Sequence, residues 1–159
     1  MKIIKQLSLK NSNIFRNKYR NYENIKIIAG SAGSGKSTEL YKKALKYCEK
    51  GYKVIYFDTE GSLISKLFNS YMGDKNTEVK KLIPETLSII SNIYSPDELL
   101  KVFNSFKNES KLIIMIDNAN LIYRNTNIED LFKSLYNSNL KSYMTLQLNR
   151  EGNFSHAYN

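Results

Sequence analysis

The stretch Gly30-Ser31-Ala32-Gly33-Ser34-Gly35-Lys36-Ser37 decides how the chain is interpreted, because it fits the pattern G-x-x-x-x-G-K-[ST]. A short apolar run at 25–29 precedes it and predicts a strand, and helically spaced apolar residues follow at 37–50. Glycines let a backbone wrap around phosphate oxygens without an intruding Cβ atom, and the start of a helix attracts an anion. The sequence therefore predicts a phosphate-binding loop between a strand and a helix.

The residue types of this loop favour a nucleoside triphosphate, ATP above all, bound together with magnesium. Lys36 is expected to reach the β- and γ-phosphates, and the Ser37 hydroxyl is expected to bind Mg²⁺. Thr38 is expected to support the α-phosphate. A glycine-rich turn that binds no ligand is the alternative. The predicted cofactor-binding residues are Gly30, Ser31, Ala32, Gly33, Ser34, Gly35, Lys36, Ser37 and Thr38.

Strand-like and helix-like segments alternate along the rest of the chain. Apolar runs predict strands at 25–29, 53–57, 87–90, 112–116 and 143–148. Helical spacing and capping signals predict helices at 37–50, 63–72, about 95–107 and about 126–136. The alternation predicts an α/β fold in three layers, with a central, mostly parallel sheet covered by helices on both sides.

Composition limits the class of protein. The chain has 159 residues, one domain's worth, and its 42% hydrophobic and 25% charged residues are ordinary for a soluble globular protein. The single cysteine, Cys48, excludes an internal disulfide framework. No apolar run approaches the roughly 20 residues of a bilayer span, and the N-terminus lacks the apolar run of a secretory signal. We therefore expect a cytoplasmic protein with no membrane association.

Positive charge dominates, with a formal net charge of +9. This balance favours acidic partners, nucleic acid above all, and simple solubility is the alternative. Residues 1–24 carry six lysines and arginines and no acid before Glu23. We interpret them as a basic N-terminal arm, in which a strand and a short helix both remain open, ahead of a core at 25–159.

Two acids follow predicted strands at positions where an α/β sheet holds its ligands. Asp117 ends the apolar run at 112–116 and is expected to make the second magnesium contact, through water. The next residue is Asn118 rather than glutamate, so the base that activates water is not beside the magnesium aspartate. Glu60, just after the strand at 53–57, is the candidate base. Asp58 competes for that role, and a solvated loop acid is the remaining alternative.

Three segments together resemble the RecA/RadA recombinase and DnaB helicase superfamily. They are Tyr56-Phe57-Asp58-Thr59-Glu60-Gly61-Ser62, Ile116-Asp117-Asn118-Ala119-Asn120-Leu121-Ile122-Tyr123-Arg124 and Leu146-Gln147-Leu148-Asn149-Arg150. The resemblance covers about residues 25–158, and because the chain lacks room for the large N-terminal domains of helicases, it resembles the core-only recombinase-like ATPases of phages. Asn118 stands where recombinases usually have serine, and family cores continue with further strands where this chain stops. A RecA-like P-loop NTPase fold with a short C-terminus is implied.

The resemblance also assigns roles to residues. It implies that Lys36, Glu60 and Gln147 are catalytic, with Gln147 sensing the γ-phosphate. Ser37 and Asp117 inherit the magnesium site from the same family pattern.

Single-stranded DNA is the partner that the resemblance implies. The family binds it with the loops after the aspartate and glutamine strands, where Arg124 and Arg150 offer positive charge here. The resemblance further implies a homo-oligomer, a filament or a ring, with ATP between subunits.

The expected function is ATP binding, with DNA-stimulated hydrolysis to ADP and phosphate, in DNA recombination, repair or replication. A nucleotide-binding loader or regulator without turnover is one alternative, and the short C-terminus motivates it. A small-molecule P-loop kinase is another, although the chain's four arginines are scattered rather than gathered in a lid.

Overall fold

A computed structural model of the chain describes residues 4–8, 23–31, 33–73, 83–93, 95–106, 109–122, 129–138 and 140–147. Within these ranges six strands form one sheet, and helices pack against it. The strands are β1 (Ile4–Ser8), β2 (Ile25–Gly30), β3 (Lys53–Asp58), β4 (Leu87–Ser91), β5 (Leu112–Asp117) and β6 (Lys141–Gln147). The helices are α1 (Lys36–Glu49), α2 (Ser62–Gly73), α3 (Pro96–Phe106), α4 (Ala119–Ile122) and α5 (Glu129–Asn137).

The strand order across the sheet is β1-β2-β6-β5-β3-β4. The five strands from β2 to β4 are parallel, and β1 pairs with β2 in the antiparallel direction. This confirms the predicted α/β fold with a mostly parallel central sheet. Because β6 lies between β2 and β5, the carboxyl ends of β2, β6, β5 and β3 are neighbours. We call the side of the sheet where the parallel strands end its carboxyl edge, and the side where they begin its amino edge.

Apolar side chains fill both faces of the sheet, which is why helices flank it on either side. On one face α1 and α2 pack over Ile28, Tyr56 and Met115, each at most 1% exposed. On the other face α3 and α5 contribute Phe103 and Phe132, at most 2% exposed. β5 is buried along its whole length, as its uninterrupted apolar run predicts.

Where the residues are described, element boundaries differ from the prediction by one or two residues, and two short elements were not specified by the sequence. Helix α4 was not predicted, since four residues are too few to show helical periodicity. Part of the N-terminal arm forms the strand β1, whereas the sequence left both a strand and a short helix open for the arm. β6 begins two residues before the predicted start at residue 143. Its first two residues, Lys141 and Ser142, are polar and therefore do not look like a buried strand in the sequence, although Ser142 is fully buried.

Several predicted features lie outside the described residues. They are Ala32, Arg124, Arg150, the arm at 9–22, the second capping box up to residue 128, and Leu148 onward. Among the helices that are described, none has both the length and the apolar character needed to cross a bilayer.

Candidate functional site

The predicted phosphate loop runs from the carboxyl end of β2 to the start of α1. Gly33 and Gly35 have φ angles of +70° and +92°, in the left-handed region that favours glycine. The Ser34 amide donates to the Ser31 carbonyl at 3.2 Å, which closes the turn. The loop therefore needs its glycines for backbone conformation, and it directs the start of α1 toward the sheet edge where the strands end.

Lys36 lies within the loop rather than in open solvent. Its Nζ atom donates to the Ser31 carbonyl oxygen at 2.7 Å. Burial lowers the pKa of Lys36 from its ordinary value, while the negative charge of Asp117 acts in the opposite direction. A bound phosphate would supply the negative charge that favours the ammonium form, and would exchange with the Ser31 carbonyl as acceptor.

The two predicted magnesium ligands lie side by side. The Ser37 hydroxyl donates to Asp117 Oδ1 at 3.0 Å, joining the first turn of α1 to the end of β5. Hydroxyl and carboxylate oxygens are hard donors of the kind that Mg²⁺ prefers, and Mg²⁺ is usually bound by few protein groups together with phosphate oxygens and water. The donor set therefore fits magnesium bound with a phosphate.

Thr145 in β6 holds Asp117 in place, and sequence reasoning did not identify it. Its hydroxyl donates to Asp117 Oδ1 at 2.6 Å and accepts a hydrogen bond from the Asn118 amide at 2.6 Å. Thr145 is fully buried, and Asn118 has a φ of +56°. The hydroxyl thus fixes both the carboxylate and the strained turn that follows it. In the sequence, Thr145 is only a hydroxyl residue near the end of a predicted strand. The strand order, which places β6 beside β5, is needed to show that Thr145 contacts Asp117.

Two more hydroxyls come from β3 and the turn after it. Tyr56 donates to Asp117 Oδ2 at 3.4 Å, and Thr59 donates to the Asp117 carbonyl oxygen at 2.8 Å. Burial, followed by the charges of Asp117 and Asp58, raises the pKa of Tyr56. Tyr56 is therefore a neutral hydrogen-bond donor at physiological pH.

Asp58 and Glu60, the two candidate bases, have different environments. Asp58 is fully buried, and its Oδ2 atom accepts hydrogen bonds from the Ile64 amide at 3.1 Å and from the Ser91 hydroxyl at 3.5 Å. It therefore caps the start of α2. Glu60 is exposed in the turn after β3, at the same sheet edge as the phosphate loop. Asp58 Oδ2 therefore has a structural contact while its buried Oδ1 has no hydrogen-bond partner within the described residues, and Glu60 is exposed to solvent.

Gln147 ends β6 directly beside the end of the phosphate-loop strand, in register with Gly30. Its backbone amide donates to Asn120 Oδ1 at 2.8 Å, and the Asn120 side-chain amide donates to the Gln147 carbonyl at 3.1 Å. The side chain of Asn120, which is fully buried on α4, therefore fixes the backbone at the end of β6. Sequence reasoning placed Gln147 but did not identify Asn120 as its support.

A cleft of about 130 Å³ adjoins the loop between α1 and α2. Tyr41 lines it, and its buried hydroxyl has no hydrogen-bond partner within the described residues. Burial, with a smaller effect of Cys48, raises the pKa of Tyr41 to about 12. The cleft is lined by Ser37, Thr38, Tyr41, Ser62, Leu63, Lys66 and Leu67.

Comparison of the chain with protein-family models, with curated proteins and with solved structures gave no match.

Proposed function

We propose that this chain is a RecA-like ATPase that binds ATP with magnesium at the phosphate loop, hydrolyses it and acts on DNA in recombination, repair or replication. The observation that carries the proposal is the contact between Ser37 and Asp117 at the start of α1. It brings two hard oxygen donors together beside Lys36, where the motif predicts the terminal phosphates.

The triphosphate would lie along the loop. The backbone amides of the loop and the start of α1 would bind its oxygens, and Lys36 would contribute a positive charge to the β- and γ-phosphates. Ser37 would bind magnesium directly and Asp117 would bind it through water. The magnesium ion neutralises charge on the phosphate oxygens when it is bound.

The cleft beside Thr38 supports a nucleoside rather than inorganic phosphate as the occupant. Leu63 and Leu67 give it apolar surface, while Ser37, Thr38 and Lys66 offer polar contacts. Nucleotide pockets commonly combine apolar walls with a few polar groups in this way. The cleft lies on the side of Thr38, where the α-phosphate is expected, so base and ribose would follow from the α-phosphate into it.

For hydrolysis, water attacks the γ-phosphorus, a bond to the water oxygen forms, and the bond to the β–γ bridging oxygen breaks. Glu60 would accept the proton of the attacking water. Gln147 would donate a hydrogen bond to the γ-phosphate, and its loss on phosphate release would alter the loop that follows β6. The register of Gln147 with Gly30 supports this role.

The proposal of DNA as partner rests on the net charge of +9 and on the resemblance to recombinases and helicases. Single-stranded DNA would bind loops containing Arg124 and Arg150, and the protein would act in the cytoplasm as a homo-oligomeric filament or ring. In nucleotide-driven switches, loops of this kind change conformation when the bound nucleotide changes.

The test is phosphate release from ATP with magnesium, measured with and without single-stranded DNA, with Lys36→Ala as the background. We expect release above that background and stimulation by DNA. If wild-type protein binds ATP tightly but releases phosphate no faster than Lys36→Ala, the protein is a nucleotide-binding loader or regulator and the ATPase proposal is wrong. Turnover without DNA stimulation or retention at moderate salt would remove the DNA part of the proposal.

A further inference from the structure

A group of positive side chains lies at the sheet edge opposite the phosphate loop. Lys26 and Lys141 are at the amino ends of β2 and β6, Lys43 is on α1, which runs back toward that edge, and Lys50 directly follows the last residue of α1. They surround two aromatic rings, Tyr47 of α1 and Tyr143 of β6. We refer to Lys26, Lys43, Lys50, Lys141, Tyr47 and Tyr143 as the lysine–tyrosine patch.

The ammonium groups of the patch are close together. Those of Lys26, Lys43 and Lys141 lie 5.8, 5.6 and 5.9 Å from the centre of the Tyr143 ring. Three points within 6 Å of one centre are at most about 12 Å apart from one another.

The second ring extends the patch. The ammonium groups of Lys50 and Lys141 lie 5.5 and 5.1 Å from the Tyr47 ring, whose centre is 5.7 Å from that of Tyr143. Successive phosphates of one nucleic-acid strand rise by roughly 3.4 Å along the helix axis. Four ammonium groups distributed around two rings that lie 5.7 Å apart can therefore contact two or three consecutive phosphates.

The tyrosines hold the lysines in position. The two hydroxyls share a hydrogen bond of 2.8 Å, and Tyr143 is only 4% exposed. Burial acts to raise the pKa of Tyr47, but the hydrogen bond with Lys141, the hydrogen bond with Tyr143 and the charges of Lys141 and Lys26 outweigh burial and lower it. Within the described residues, the ion pair between Lys53 and Glu109 involves none of these four lysines. The patch therefore presents positive charge on a preformed support.

We propose that the lysine–tyrosine patch binds the phosphate backbone of a nucleic acid, independently of base sequence. Tyr143 is too buried to stack on a base, so the contact is with phosphates. An anionic membrane fits less well, because membrane-surface sites add exposed apolar residues to their lysines. The large exposed apolar side chains of the described residues are Ile64 and Tyr136, on α2 and α5, outside the patch.

This site goes beyond the proposed nucleotide chemistry and does not depend on it. It lies at the amino edge of the sheet, whereas the phosphate loop, Asp117 and the end of β6 lie at the carboxyl edge. Nucleic-acid binding by the patch should therefore persist without ATP and in Lys36→Ala, which separates a failure here from a failure of the ATPase proposal.

The test is the affinity for a fluorescent oligothymidylate of about 20 nucleotides, measured by anisotropy between about 50 and 200 mM salt without nucleotide. The variant Lys43→Gln/Lys50→Gln/Lys141→Gln is compared with Lys42→Gln/Lys101→Gln/Lys133→Gln. Both lower the formal net charge from +9 to +6, but the second set is exposed and outside the patch. We expect about tenfold weaker binding, and a salt slope smaller by about 2, for the patch variant, with less than about twofold weakening for the control.

Three further variants guard against unfolding, which thermal melting will reveal. Lys43→Arg/Lys50→Arg/Lys141→Arg should retain wild-type affinity, and Lys43→Gln/Lys50→Gln should weaken binding more than Lys42→Gln/Lys46→Gln. Equal weakening by the matched sets would overturn the proposal, because the effect would then belong to total charge. Equally tight binding of polyglutamate or of anionic vesicles by wild-type protein, or no binding of the oligonucleotide at about 50 mM salt, would also overturn it.

Discussion

Asp117 shows most clearly how the fold fixes the site. Its carboxylate accepts hydrogen bonds from Ser37 on α1, Thr145 on β6 and Tyr56 on β3. Because each donor is on a different element, the carboxylate keeps its orientation only if α1, β3, β5 and β6 are correctly placed. Groups that orient a metal ligand in this way commonly affect metal affinity about 10- to 100-fold.

Thr145→Val tests this support. Valine preserves the shape but removes the hydroxyl that Asp117 and the Asn118 amide use, and each buried group left unpaired costs about 1–3 kcal/mol. We expect a lower melting temperature and a requirement for about tenfold more magnesium in ATP binding. Titration of magnesium at fixed ATP measures the second effect.

Thr145→Ser is the matched control, since it keeps the hydroxyl and removes a methyl group. Magnesium dependence close to wild type is expected for it. If the serine and valine variants need equal magnesium, then the hydroxyl of Thr145 does not position Asp117 for the metal.

Glu60→Gln separates binding from hydrolysis. The amide keeps the shape and hydrogen bonding of the side chain but cannot accept a proton. We expect unchanged ATP affinity and hydrolysis slowed about 100-fold or more, the usual scale for loss of a general base. Binding by calorimetry and single-turnover phosphate release measure the two steps. Slow hydrolysis accompanied by equally weakened binding would indicate a role in holding the nucleotide.

Asp58 gives the contrasting prediction, because its carboxylate caps α2. Asp58→Ala should reduce the free energy of unfolding by about 1 kcal/mol, as loss of an N-terminal cap does. Asp58→Asn retains an acceptor and should have a smaller effect on stability and little on turnover. Thermal melting and phosphate release check both variants. Abolished turnover in Asp58→Asn together with normal turnover in Glu60→Gln would reverse the assignment of the base.

The sequence was sufficient to identify the candidate site residues that belong to a local sequence motif. Lys36 and Ser37 follow from the loop pattern, and Asp117 follows from its place after an apolar strand. Thr145 and Asn120 could not be found in this way, because their partners are 28 and 27 residues away along the chain. Their roles depend on β6 lying beside β5, a neighbour relation that no local pattern records.

At the scale of elements, α1 is specified at both ends by glycine. Gly51 has a φ of +88°, its amide donates to the Cys48 carbonyl, and the Tyr52 amide donates to the Tyr47 carbonyl, both at 3.0 Å. This is the hydrogen-bond pattern of a Schellman helix end, and the rings of Tyr47 and Tyr52 pack at 5.3 Å across it. The predicted stop after residue 50 is therefore confirmed with a physical cause.

Gly51→Ala should destabilise the protein by about 1 kcal/mol, because alanine is strained at a positive φ. The position where a Cβ atom would stand is open, so the cost is conformational rather than steric. Denaturant unfolding measures the change. ATP affinity should remain at the wild-type value, since the phosphate loop is at the other end of α1. An unchanged free energy of unfolding would show that the end of α1 adapts without cost.

Elements without a strong period were the ones the sequence described incompletely. β1 and α4 have five and four residues, too few for a helical or alternating pattern to stand out. β5 and α1 were predicted nearly to the residue, because the apolar run of β5 is uninterrupted and the apolar pattern of α1 extends over fourteen residues.

At the scale of the whole molecule, the parallel sheet separates two kinds of chemistry. The carboxyl edge gathers the phosphate loop, Asp117 and Gln147, whereas the amino edge carries the lysine–tyrosine patch.

The proposed oligomer predicts that subunits can share a site. If Arg150 acts across the subunit boundary as an arginine finger, rather than only in DNA binding, mixing Lys36→Ala with Arg150→Ala subunits should restore part of the turnover, because some interfaces then combine an intact Lys36 with an intact Arg150 of a neighbour. Phosphate release across a series of mixing ratios is the measurement. Turnover that merely averages the two pure variants would exclude an Arg150 that acts across the boundary.

The central claim, that ATP binds with magnesium at the phosphate loop, is tested most directly by calorimetric titration of ATP into wild-type protein and Lys36→Ala. Wild-type protein should show saturable binding that weakens when magnesium is chelated, and Lys36→Ala should bind about 100-fold more weakly, since it loses a charged hydrogen bond to phosphate. Lys42→Ala, which removes the same charge from the exposed face of α1, should match wild type. Equal ATP affinity of wild type and Lys36→Ala, or no saturable binding by wild type, would contradict the account.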